Sequence, residues 1–288
     1  MLGKHFLGLY EKALPPSMSW EERLRTAAEL GFDFVEISVD ETDERLARLD
    51  WTAGECADVR RAMTATGVPI PTMCLSGHRR FPFGSADPAV RARARDIMEK
   101  AVILSRELGI RIVQLAGYDV YYEPSTEDSL RRFEEGLAYA CELAERYQVM
   151  LSMEIMDTPL MSSITRYKKY KDKLPTPWFT VYPDLGNLTA WGNDVPSELA
   201  LGGREIVAVH LKETRAVTPS FPGQFKCVPF GQGCVDFAAD FGILERMDYT
   251  GSYMMEMWYS PEQDWRVEIL RSRQYIEAQF AAGTGVRA

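Results

Sequence analysis

Eight short apolar segments recur along this chain, and most are separated by a stretch long enough to cross back over a sheet as a helix. They are HFLGLY (5–10), FDFVEISV (32–39), IPTMCLS (70–76), RIVQLAG (111–117), VMLSMEIM (149–156), FTVYPD (179–184), IVAVHLK (206–212) and GSYMMEMW (251–258). Each is apolar on both alternating faces, as parallel strands covered by helices on one side and packed into a core on the other must be. Helical periodicity is clearest over 19–30, 88–108, 127–147 and 262–281. Eight such units in 288 residues predict an α/β fold, a single (β/α)8 TIM barrel occupying 1–288 as one domain.

Local punctuation supports the helices. Ser19 followed three residues on by Glu22 is a capping box, and Gly31 and Gly109 stand where helices should stop. The stretches 160–173 and 195–202 are weaker, the first rich in Tyr and Lys and the second interrupted by Pro196.

A formal net charge of −9 argues against broad nucleic-acid binding, which needs clustered cations, and means that an anionic substrate requires a local basic pocket. The cysteines, Cys56, Cys74, Cys141, Cys227 and Cys234, are odd in number and scattered, so they read as free thiols of a reducing compartment. No window approaches the length of an apolar membrane span and the first residues lack a signal-peptide core; the expected location is the cytoplasm, with no membrane partner.

Chemistry in such a barrel belongs at the C-terminal ends of the strands. Strand two carries Glu36, strand three runs into Ser76-Gly77-His78-Arg79-Arg80, and strand four leads to Tyr118 and Asp119. The second half supplies Glu154, Asp184, His210 and Glu256 at four successive strand ends. Alternation puts Ser152, Glu154 and Met156 on one face of strand five and Ala208, His210 and Lys212 on one face of strand seven, which is the inward face. Taken singly, each of the four is more often a hydrogen-bonded or ion-paired core residue than a ligand. Together, three carboxylates and an imidazole form a hard, mixed O/N set for one divalent cation, of the kind that accepts Mn, Zn, Mg or Co.

The segments GLYEKALP (8–15), MCLSGHRRFPFGS (73–85), QLAGYDVYY (114–122), MEIMDTPLM (153–161), YPDLGNLTAW (182–191), VAVHLKET (207–214), VPFGQGCVDF (228–237) and EMW (256–258) resemble the L-ribulose-5-phosphate 3-epimerase family, also called L-xylulose-5-phosphate 3-epimerases. These enzymes of bacterial ascorbate and pentose catabolism lie in the xylose-isomerase-like barrel group. The resemblance implies that Glu154, Asp184, His210 and Glu256 bind one metal and that Glu154 and Glu256 act as the acid/base pair for inversion at C3 through a cis-enediolate, with L-xylulose 5-phosphate and L-ribulose 5-phosphate as the ketose phosphate substrates.

A sugar phosphate needs further partners. Ser76, His78, Arg79, Arg80 and Lys212 are the candidates for the phosphate, with Lys226 in the long loop 213–227 as a lid residue. Arg79 and Arg80 are equally readable as surface ion-pair residues. Glu11, Lys12 and Asn187 are candidates for substrate hydroxyls or loop ties, Glu36 for orienting a ligand, and Trp258 for an apolar wall. Barrels of this group often pair through the loop face, so a homodimer is expected by analogy. The competing readings are an epimerase or isomerase of an unphosphorylated ketose, a metal-dependent apurinic endonuclease, which commonly uses many more histidines than His5, His78 and His210, and a non-catalytic sugar sensor.

Overall fold

The computed structural model describes residues 1–286. All eight apolar segments form strands: β1 (Leu7–Tyr10), β2 (Phe34–Val39), β3 (Thr72–Leu75), β4 (Ile112–Leu115), β5 (Met150–Glu154), β6 (Phe179–Tyr182), β7 (Ala208–Leu211) and β8 (Ser252–Met255). The crossovers carry α1 (Trp20–Glu29), α2 (Asp43–Leu46), α3 (Ala53–Thr66), α4 (Pro88–Leu108), α5 (Glu127–Tyr147), α6 (Ile164–Lys171), α7 (Leu185–Ala190), α8 (Val195–Gly202), α9 (Phe237–Arg246) and α10 (Trp265–Thr284).

Paired strands are parallel, in the order β6-β5-β4-β3-β2-β1-β8-β7. The ring closes between β6 and β7 through two bridges, Val181 to Ile206 and Asp184 to His210, the second with the His210 N–H donating to Pro183 O at 2.9 Å. Closure therefore sets two of the predicted ligand residues side by side.

Alternation sorts the side chains. Leu151, Met153, Ile155, Val209 and Leu211 face outward into the large apolar cluster shared with the helices, and each fully buried side chain of this kind stabilises the fold by about 1.5–3 kcal/mol. Inside the barrel the lower layers are apolar, with Phe34 and Met254 in one cluster and Ile112 and Ala208 in another. Gly8 makes room there, since a Cβ at that position would stand 2.2 Å from the Phe34 ring. Above these layers the interior turns polar.

The helices begin where side chains cap them. Ser19 and Glu22 form the predicted capping box on α1, and Thr52 with Glu55 forms another on α3 that the periodicity did not expose. Pro196 does not interrupt α8. It lies in the first turn, where a missing N–H costs no hydrogen bond. The last helix starts at Trp265 rather than 262 because Asp264 accepts from the N–H groups of Arg266 and Val267. The five cysteines are free thiols.

Candidate active site

Each of the four predicted ligands is placed by backbone that has a reason to stop there. Glu154 is the last residue of β5, His210 lies within β7, and Glu256 follows β8, its N–H donating to Leu211 O at 2.9 Å. Asp184 is the N-cap of α7, a helix the sequence did not announce: its Oδ1 accepts from the Asn187 N–H at 2.8 Å. Capping occupies one oxygen and leaves Oδ2 aimed at the cluster. From His210 Nδ1 the distances are 3.4 Å to Glu154 Oε1, 3.5 Å to Glu256 Oε2 and 4.0 Å to Asp184 Oδ2.

The imidazole is oriented from below. His210 Nε2 lies 3.1 Å from Glu36 Oε1, and the other oxygen of Glu36 accepts from the Tyr182 hydroxyl at 3.4 Å. A carboxylate only accepts, so Nε2 carries a proton and Nδ1 is the nitrogen turned toward the other three residues. Glu36, buried at the floor of the site, thus fixes which face of the histidine the cluster sees.

The charges do not balance. Glu36, Glu154, Asp184 and Glu256 are all buried, against Lys212 and His210. Burial raises the Asp184 carboxyl to about 7, with Lys212 opposing the rise. Burial and the charge of Glu256 also raise Glu154, while at Glu256 the effect of burial is overcome by Lys212 and His210, which hold it below the usual range. At His210 the pull of Glu36, Glu154 and Glu256 outweighs burial and raises the imidazole well above its ordinary value. Lys212 Nζ is 2.6 Å from Asp184 Oδ2 and 3.2 Å from Glu256 Oε2, so one ammonium is shared between two carboxylates.

These features fit a divalent cation. One atom from each of the four residues lies within 4.8 Å of the others, and donors about 2.1 Å from a shared ion stand roughly 3–4 Å apart. The set can hold a metal ion, which would neutralise the excess carboxylates.

Beside the cluster is a narrow cavity of about 50 Å3. It brings together Lys12, Ser76, Arg79, Asn187, Lys212, Lys226 and Trp258 from the predicted set with Glu154 and Glu256. On the far side of Lys212, Glu256 and Trp258 a second cavity of about 240 Å3 runs under 227–230 and 257–260. Arg79 stacks 4.8 Å from the Tyr121 ring centroid and 3.5 Å from a Glu41 oxygen, which holds its guanidinium at the mouth. Lys12 pairs with Asp40 at 2.5 Å, and Asn187 donates to Ile155 O at 2.8 Å while its own oxygen is unpartnered.

Three predicted substrate contacts lie elsewhere. His78 is buried in the one-turn 3-10 helix Gly77–Arg79, stacked on Phe83 and bonded to Ala94 O, away from the cavity. Arg80 points to the surface and pairs with Asp43 at 2.6 Å. Glu11 is fully buried under α1, held by Arg48 and Arg23, and ties loops together. Conversely, Tyr10, Cys74, Tyr118 and Asp157 line the cavity without having been singled out for it. Cys74 shares the inward face of β3 with Ser76, so parity would have found it; Tyr118 and Asp157 sit in loops beyond β4 and β5, where no period applies.

Comparison with known proteins gives the family. Residues 24–275 match the sequence profile described as xylose isomerase-like TIM barrel. SgbU of Escherichia coli strain K12, provisionally named as an L-ribulose-5-phosphate 3-epimerase, is 59% identical, with 96% of each chain covered. UlaE of Escherichia coli strain SE11, an L-ribulose-5-phosphate 3-epimerase, is 51% identical, with 100% of each chain covered. The chain belongs to the L-ribulose-5-phosphate 3-epimerase family of xylose isomerase-like barrels. Among solved structures, an L-ribulose 3-epimerase superposes with a TM-score of 0.76 at 21% identity, covering 97% of this chain and 95% of that one. D-psicose 3-epimerase from Clostridium cellulolyticum H10, solved with D-tagatose, gives 0.78 at 13% identity, with 96% and 99% covered. At those identities the likeness of this epimerase-family chain to the two structures is one of fold.

Proposed function

We propose that this chain interconverts L-ribulose 5-phosphate and L-xylulose 5-phosphate by inverting C3. The observation that carries the reading is the pair Glu154 and Glu256, brought from β5 and from beyond β8 to flank the Asp184–His210 bridge, beside a mouth bearing Lys12, Arg79 and Lys226. Its chemical sense is direct. The hydrogen on C3 lies next to the C2 ketone, so the electron pair left on C3 by its removal is delocalised through C2 onto the carbonyl oxygen. Each glutamate has two oxygens, and one on each side suffices to hold or accept a proton. One glutamate takes the C3 proton from one face; the other, protonated, delivers one to the opposite face. In the reverse direction their parts exchange.

A divalent cation held by Glu154, Asp184, His210 and Glu256 would supply positive charge where the oxygens on C2 and C3 become negative. Glu36 keeps His210 in the orientation that set requires. Trp258, against Tyr10, walls the reacting carbon from bulk water. Arg79, Lys12 and Lys226 receive the phosphate, with Ser76 as a hydroxyl partner. The ion is drawn from Mn, Zn, Mg and Co. The same reading places the enzyme as a homodimer in the cytoplasm, serving pentose and ascorbate breakdown; no described helix is long and apolar enough to cross a membrane.

The test is incubation of metal-loaded protein with L-xylulose 5-phosphate in D2O, followed by NMR. Deuterium at C3 with appearance of L-ribulose 5-phosphate supports the reading. Exchange at C1, or equal activity on L-xylulose without the phosphate, overturns it.

A further inference from the structure

At the opposite, N-terminal mouth of the barrel lies a cavity of about 370 Å3 that the epimerase reading does not use. Its lining comes from the residues that precede or begin the strands, so the barrel's own interior separates it from the cluster at the C-terminal ends. The walls are mixed: Ile112, Met150 and Val207 are the apolar part inside, Thr72, Thr250 and Ser252 are polar, and Phe6, 60% exposed, stands at the rim. Two arginines flank it, Arg111 at the entry to β4 and Arg204 in the turn before β7. Neither takes part in an ion pair among the described residues, although the chain carries a net charge of −9; the carboxylate beside Arg204, Glu205, is engaged by Lys168 at 2.9 Å. At the floor, Thr72 is 1% exposed and its Oγ1 has no hydrogen-bond partner. A buried hydroxyl without a partner costs about 1–3 kcal/mol, so its presence in the wall of a cavity points to a group that enters from outside.

We propose that this mouth is a second ligand site, for an organic oxyanion of metabolite size. The phosphate or carboxylate end lies between Arg111 and Arg204, the body lies against Phe6, Met150 and Val207, and a polar atom reaches Thr72 Oγ1. Unpaired guanidiniums suit bidentate oxyanion contacts, and the cavity volume is within the range of small-molecule sites. The inference stands on residues that have no part in the C3 chemistry, so it survives or falls separately from the function proposed above.

Isothermal titration of the metal-loaded protein with phenyl phosphate, benzoate and inorganic phosphate tests it, using wild type, Arg111→Ala/Arg204→Ala and Thr72→Val. We expect a binding event for phenyl phosphate or benzoate that weakens roughly tenfold or more in the double variant and by a smaller factor in Thr72→Val, while epimerase kcat/KM stays within about twofold. Whichever organic probe binds more tightly names the phosphate or the carboxylate as the source. Equal affinity in wild type and double variant, or no binding at millimolar probe, overturns the site. Inorganic phosphate binding as tightly as both organic probes overturns the role of the apolar walls.

Discussion

Two buried acidic clusters sit at the C-terminal ends of this barrel's strands, and they are solved in opposite ways. Near β1 and β2, Glu11 accepts from the Ser38 N–H at 2.6 Å and lies against Arg48, with Arg23 at 3.5 Å and Arg45 at 3.9 Å. Its neighbour Asp40 is matched by Lys12 and Thr42, which overcome burial and bring its carboxyl down to about 2. There cations outnumber carboxylates. Across the barrel Glu36, Glu154, Asp184 and Glu256 share one lysine and one imidazole. The first arrangement is a closed structural knot. The second is short of positive charge, and that shortage is what a metal site looks like in a protein's own side chains.

The comparison breaks most visibly in catalysis. Glu154→Gln and Glu256→Gln are each expected to lower kcat by about 10^2–10^4-fold and to abolish deuterium uptake at C3, whereas Glu11→Gln leaves kcat per folded molecule near wild type. Steady-state kinetics on refolded, metal-loaded protein checks both. Comparable losses in all three variants would erase the distinction between the clusters.

Stability separates the clusters the other way. Arg48→Met leaves Glu11 buried beside fewer cations and is expected to cost about 3–5 kcal/mol in urea unfolding. Metal, in turn, should stabilise only through the second cluster. At a free ion concentration one hundred times Kd the gain is about 2.7 kcal/mol, present in Glu11→Gln and lost in His210→Ala, with chelation removing activity and this increment together. A metal-dependent shift in melting that persists in His210→Ala would move the site elsewhere.

A third buried acid lies outside both clusters. Burial, helped by the charge of Asp236, raises Asp240 in α9 to about 7, and its Oδ2 has no partner. Its folded pKa lies above the unfolded value, so the protonated form stabilises the fold fully below about pH 4, and that contribution is lost as pH rises through 7. Asp240→Asn should therefore match wild type in acid and exceed it by about 1–3 kcal/mol at pH 8, read from thermal unfolding across pH. An unchanged difference between pH 4 and 8 would sink the assignment.

The smallest contrast is between adjacent residues. Arg79→Ala should raise KM for the phosphorylated ketose by roughly tenfold, while Arg80→Ala, which removes exposed contacts with Asp43, Glu41 O and the Phe81 ring, should leave KM unchanged and cost no more than about 1 kcal/mol of stability. Equal effects would show that the phosphate is not read at Arg79.

How much of this was legible beforehand follows from how far each cause reaches along the chain. The strands and most helices were, because alternation, Ser19–Glu22 capping and the glycines after α1 and α4 act over a few residues. Glu154 and His210 could be assigned to the barrel interior by parity alone. His78 could not be separated from Arg79, because one 3-10 turn sends the histidine onto Phe83 and α4 and the arginine onto Tyr121. Glu11 carried no mark that guanidiniums from α1 and beyond α2 would converge on it.

The alternation of apolar segments with helical stretches thus determined the barrel and the placing of polar residues at its strand ends, since period and punctuation are local properties of a chain. Tertiary structure alone decided the partner of each buried charge. Whether a carboxylate meets three arginines or three other ligand groups depends on ring closure and on helices folding over the strand ends, and those contacts join residues on different elements, as far apart in the chain as Glu36 and His210.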